Sequence, residues 1–226
     1  AVSATSAISE YLYSNNVELT IAAINALGQL SSPTAIQRLF EKLGADPDLD
    51  IMILDVFFNS QMPEALEKLN ETLSAHWAHT RNAGKRFLVQ IGTKAAPVLL
   101  KNLHYDDPDL LIHTLNVLGD IGDESAIPAI RKLLIKDPKD ANVRFAAYEA
   151  LGRLPVAKGA VALAAGLNDP VENVRAAAAS AINHNYNPVL AAGLKNLVRD
   201  EGLESEQICK TIITAQCDTI FLDLIE

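Results

Sequence analysis

His76 and His79 stand three residues apart, the spacing that would turn two imidazoles toward one metal ion from one face of a helix. A metal site needs three or four ligands, and Trp77 between them is flanked by no third. The run Asp106-Asp107-Pro108-Asp109 is acidic enough for calcium, but it lacks the alternating spacing of a calcium loop. It reads instead as a helix start, with Asp107 as cap and Pro108 at the first turn. Cys209 and Cys217 are eight residues apart on one expected helix, a rise of ~12 Å that exceeds disulfide reach. We expect two buried thiols there. The chain has no glycine-rich phosphate loop after a strand, no Gly-x-Ser-x-Gly and no cysteine cluster. The expectation is therefore no catalytic residue, no bound metal and no cofactor: a protein that is not an enzyme.

The elements that carry these residues repeat. The last apolar residue of successive first helices falls at Leu27, Phe58, Leu88, Leu118, Leu151, Ile182 and Ala215, steps of 30 to 33 residues. A constant period of that length marks a stack of helical hairpins, none able to bury its apolar face alone. Val143, Ala146, Ala147, Ala150 and Leu151 form one apolar stripe, as do Val174, Ala177, Ala178, Ala181 and Ile182. Leu19, Ala22, Ala23, Ala26 and Leu27 repeat the pattern in the first unit. Alanine at the centre of the stripe lets helix axes approach closely. Gly28, Gly119 and Gly152 are expected to end first helices, and second helices follow, such as Ala126–Ile135 with Ile127, Ile130, Leu133 and Leu134 inward. Four Asp-Pro pairs, Asp46-Pro47, Asp107-Pro108, Asp137-Pro138 and Asp169-Pro170, are expected to start the next units. The second unit lacks the glycine and carries larger residues: Ile53, Leu54, Phe57 and Phe58.

Leu118-Gly119-Asp120-Ile121-Gly122-Asp123 followed by Ala126-Ile127-Pro128-Ala129-Ile130 resembles the HEAT repeat, in the short bacterial form of phycobilisome-lyase subunits. Asn142-Val143-Arg144 and Asn173-Val174-Arg175 match its other signature. The resemblance covers essentially the whole chain. It implies an all-α fold, an α-α superhelix (solenoid) of about seven HEAT-like helical hairpins over residues 1–226, with second helices on the concave face. It also implies that arginines seven residues before the marker, here Arg81, Arg144 and Arg175, ladder with acids of the adjacent unit. Thr20, Ile51, Leu111 and Ile208 hold that slot elsewhere, so the ladder is expected to be partial. Deoxyhypusine hydroxylase resembles these repeats and holds iron with His-Glu pairs. The five histidines here precede Trp77, Thr80, Tyr105, Thr114 and Asn185, so that pattern fails.

Net charge is −9, unevenly placed. Residues 1–80 carry ten acids and three bases, whereas residues 81–200 carry twelve acids and fifteen bases. In that middle block Lys101, Arg131, Lys132, Lys136, Lys195 and Arg199 fall on second helices. Lys101 and Lys132 occupy the slot that Glu41 and Glu71 hold in earlier units. If second helices line the groove, its potential grades from acidic to basic and orients an acidic or dipolar protein segment. The acidic total and 5% aromatic content disfavour nucleic acid, whose phosphates must be neutralised. No apolar run approaches the ~18–20 residues of a membrane span and no leader is visible, so the cytoplasm is expected. The chain lacks a Met at Ala1 and stops inside an expected helix, so we expect a segment of a longer protein. The function expected is a non-enzymatic protein-interaction scaffold binding a protein partner in its groove. A bilin-lyase-like chromophore-handling subunit and nucleic-acid backbone binding are the alternatives, and oligomeric state is left open.

Overall fold

The computed structural model describes residues 2–60, 62–155, 163 and 165–185. Lys195, Arg199, Cys209, Cys217, Ile208 and the seventh marker Ala215 lie outside the described residues. The fold is all-α, a solenoid of helical hairpins, with no strand among the described residues. Its packing divides into two compact units, one of residues 1–99 and one from residue 100 onward.

The first unit holds α1 (Val2–Ser9), α2 (Val17–Leu30), α3 (Pro33–Lys42), α4 (Pro47–Asn59), α5 (Pro63–Glu71) and α6 (Ala78–Ile91). α7 (Ala96–Asn102) contains the division. The second unit continues with α8 (Pro108–Ile121), α9 (Ile127–Ile135), α10 (Ala141–Arg153) and α11 (Glu172–His184). First helices stack on first helices: α10 packs between α8 and α11, while α9 lies against α10.

The alanine stripes form the core of the second unit. Val143, Ala146, Ala147, Ala150 and Leu151 are buried, and so are Val174, Ala177, Ala178, Ala181 and Ile182. In the first unit the stripe is turned by one residue. Thr20, Ala23, Ile24 and Leu27 are buried, whereas Leu19 and Ala22 are exposed and Ala26 is half-buried. Ala147→Leu or Ala178→Leu, each at 0% exposure, is expected to overpack this core by ~1–3 kcal/mol. A lowered midpoint in helicity-monitored thermal unfolding is the check.

The glycines differ from expectation. Gly28, Gly119 and Gly152 lie within α2, α8 and α10, one to two residues before the helix ends. The left-handed terminus of α8 is Gly122, at φ 74°, and that of α2 is Ser31, at φ 40°. The three glycines serve helix approach. A Cβ on Gly119 would stand 3.1 Å from the Ala150 Cα, one on Gly152 3.2 Å from the Ala181 Cα, and one on Gly28 2.9 Å from a Val56 methyl. Each thus receives the next first helix at the same point of the repeat. Asn59 holds that place in the second repeat. Phe58 and Phe87 meet there at 5.4 Å, beside a cavity of about 450 Å³ lined by Phe57, Phe58, Met62, Leu66 and Ile91.

Two of the four Asp-Pro starts hold. Asp46 accepts from the N–H groups of Asp48 and Leu49, and Asp107 accepts from those of Asp109 and Leu110, each with proline at the first turn. Asp137 and Asp169 are not caps. Asp140 caps α10, two residues beyond Pro138, and Asp137 adopts φ 53° in the connection. Val171 precedes α11 without a side-chain cap; the Asp169 carboxylate takes Arg144 and the Val171 N–H.

Candidate interaction surface

The connections between hairpins are held by the arginine slot. Arg81 Nη1 donates to the carbonyls of Ala75 and His76 at 2.6 and 2.8 Å. Arg144 Nη1 donates to those of Pro138 and Lys139 at 2.6 and 3.1 Å, and Arg175 Nη1 to those of Asp169 and Pro170 at 2.8 and 3.1 Å. Each guanidinium therefore clasps the backbone five and six residues upstream, fixing the entry into its own helix. The Thr20 hydroxyl lies within 3.4 Å of the Ser14 carbonyl, the same relative position. Among the described residues, only Arg144 adds the acid of the adjacent repeat: Nε and Nη2 donate to Asp169 Oδ2 and Oδ1 at 2.6 and 3.1 Å. These bonds keep the guanidinium more firmly protonated than usual. The slot is structural.

Tyr148 sits beside this pair at 4% exposure, and burial, with Asp169 adding to it, pushes its hydroxyl up to about 12. A raised native value means the unfolded chain loses this proton first, near the ordinary 10. Stability from this group is complete below pH 10 and is lost as pH rises toward 12, by roughly 2–3 kcal/mol. Urea unfolding between those limits should show that slope in the parent chain and a shallower one in Tyr148→Phe.

The candidate partner-binding cations that fall among the described residues lie on second helices. Lys101 is exposed on the last turn of α7, Lys132 is exposed and Arg131 half-buried on α9, and exposed Lys136 closes α9. Neither helix contains an acid. In the first unit the corresponding helices neutralise themselves: Glu41 takes Arg38 at 3.0 Å and Glu71 takes Lys68 at 2.8 Å. The bonds from Gln37 and then Arg38 hold the Glu41 carboxyl below its usual range. Arg131, Lys132 and Lys136 make no ion pair among the described residues, and the buried Arg131 Nε finds no hydrogen-bond partner there. Ile135, one turn beyond Arg131 and Lys132, is 78% exposed, the most open large apolar side chain described. Sequence reasoning found the cations and missed Ile135, whose place beside inward Leu134 hides it among core residues.

Lys136 lines a cavity. A cleft of about 480 Å³ runs between the connections preceding α8 and α10, with Tyr105, Leu111 and Val143 on its walls and Lys136, Asp137 and Lys139 at its rim. Its lining carries three acids, Asp106, Asp137 and Asp140, against the two lysines, so it does not share the sign of the cations on α9.

His76 and His79 do not converge on a metal position. His76 is exposed and His79 turns inward, its Nε2 3.2 Å from Asp50 Oδ2. Asp50 is 1% exposed and also accepts from the Gly44 N–H and the Thr80 hydroxyl. No group of three metal-binding side chains occurs among the described residues, and no described helix is long and apolar enough to cross a membrane. Asp50 and Asp169 are the two buried carboxylates among the described residues; Asp50 carries no sequence signal beyond its type, and Asp169 carries the Asp-Pro signal of a helix start.

No curated protein matches the sequence. Among solved structures, human deoxyhypusine hydroxylase in complex with glycerol is 16% identical, over 97% of this chain and 96% of that one, with a TM-score of 0.38. The complex of CpcE and CpcF of phycocyanin lyase from Nostoc is 19% identical over 97% and 94%, at a TM-score of 0.37. A designed armadillo repeat protein is 17% identical over 96% and 98%, at 0.45. Residues 96–183 match the family of HEAT repeats, the same span in which glycine, alanine and arginine recur in register.

Proposed function

We infer that the chain is a non-enzymatic scaffold, a module of a larger regulatory or assembly protein, and that its second unit docks an acidic segment of a partner protein. The segment lies along α7 and α9, with carboxylates against Lys101, Arg131, Lys132 and Lys136 and an apolar residue against Ile135. The observation that carries this reading is a pair of second helices with cations, no acid and an exposed isoleucine. Complementary charge orients such an encounter and speeds it, while a desolvated apolar contact supplies affinity. Lys101, Lys132 and Lys136 are exposed, so reversing them costs the repeat stack little, and the helicity and thermal midpoint of the variant check that the half-buried Arg131 position tolerates the change.

The test is affinity capture from a lysate of the source organism, run with the parent chain and with a variant that combines Lys101→Glu, Arg131→Glu, Lys132→Glu and Lys136→Glu. A protein retained by the parent, lost from the variant and released by moderate salt is the expected result. Equal retention by both chains would remove the cationic face from the reading.

A further inference from the structure

Trp77 is the one tryptophan of the chain, and it is 52% exposed. An indole so open ordinarily samples several rotamers, but this one is clamped from below. Gly44 lies beneath it at φ 103°, so close that a Cβ there would stand 2.3 Å from the indole Cδ1. The Gly44 N–H donates to Asp50 Oδ1 at 2.8 Å, which ties the loop to α4. Asp50 also accepts from Thr80, on the first turn of α6, so one buried carboxylate joins the loop under the indole to the helix that begins beside it. On the other side Arg81 pins the carbonyls of Ala75 and His76. The rings of His76 and His79 flank the indole with centroids 5.2 and 6.1 Å away. The ring is preorganised, so a ligand need not restrict it further.

Two observations point to a cation as that ligand. In the same unit Lys42 sits over the Tyr13 ring at 5.1 Å and Lys68 over the Phe40 ring at 4.6 Å. Tryptophan is the best cation acceptor of the three ring types, yet among the described residues no lysine or arginine lies over it. Gly44, which contacts the ring, is followed within four residues by exposed Asp46, whose Oδ1 caps α4, and by exposed Asp48. Arginine suits this setting better than lysine, because its planar guanidinium stacks on an indole while its N–H groups reach carboxylates.

We propose that Trp77 is the stacking platform for an arginine side chain of a basic partner segment, with Asp46 and Asp48 beside it. The site lies within the first unit and is independent of the cationic face of the second.

Because no other tryptophan contributes, the emission of the intact chain reads the site directly. A blocked pentapeptide containing arginine is titrated beside two relatives, one with lysine and one with citrulline, which keeps the shape and lacks the charge. The expected result is a saturable emission change with arginine, a weaker one with lysine and none with citrulline. Trp77→Leu, followed by calorimetry, should bind the arginine peptide roughly tenfold more weakly. Its helicity and thermal midpoint should stay those of the parent, since the indole is outside the core. An emission flat to millimolar arginine peptide, an equal response to citrulline, or full affinity in Trp77→Leu would each overturn the proposal.

Discussion

Arg144→Ala is expected to remove ~3–5 kcal/mol of folding stability, a large share of the ~5–15 kcal/mol that a domain possesses. The arginine side chain is 11% exposed and its partner Asp169 7%. Truncation strands Asp169 as a buried anion with only the Val171 N–H still donating to it. It also frees the carbonyls of Pro138 and Lys139, the backbone that leads into α10. Lysine cannot substitute, because one ammonium cannot reach two carboxylate oxygens and two carbonyls in a single plane. Arg144→Lys should therefore recover only a minor part of the loss. Urea unfolding of Arg144→Ala, Asp169→Ala and the double variant gives the coupling directly. If the double variant were as unstable as the sum of the singles, the pair would be contributing nothing as a pair.

Asp50→Ala should be the corresponding lesion in the first unit. It leaves the Gly44 N–H and the Thr80 hydroxyl without their acceptor in a buried site, at ~1–3 kcal/mol for each donor. Asp50→Asn keeps an acceptor for one of them and should lie between the parent and the alanine variant. Denaturant midpoints rank the three chains. The loop that carries Gly44 supports Trp77, so the tryptophan emission of Asp50→Ala should also shift toward that of a solvated indole before global unfolding begins.

Periodicity made the architecture legible because the repeat demands the same apolar stripe in each unit, and alanine at its centre has no other common use. The stripes of α10 and α11 lie where the spacing put them. The first unit departs from it: Leu19 and Ala22, on the expected stripe, are exposed, and Thr20 and Ile24 are buried in their place. The glycines misled as well. Gly119 and Gly152 sit near helix ends, where a terminus is the usual explanation, but the contact that requires them is with Ala150 and Ala181, about thirty residues on. Asp137 and Asp169 show the limit of a motif read alone. Asp-Pro was a sufficient signal at Asp46 and Asp107, while Asp140 and Arg144 offered competing partners that only the folded chain brings together. On the surface, the cations were visible as charges. That α7 and α9 present them without internal acids, around an open Ile135, emerged from the structure.

The central claim is that this face of α9 meets a partner protein. The most direct measurement places a photo-crosslinking amino acid at Ile135, on the proposed contact, and in a second chain at Phe145, which is 39% exposed on α10. Irradiation in a lysate of the source organism, followed by peptide mapping, should join position 135 to one acidic segment of one protein and position 145 to none. The crosslink should disappear when Arg131 and Lys132 are reversed to glutamate. Crosslinking from position 145 alone, or from position 135 to many proteins irrespective of their charge, would contradict the claim.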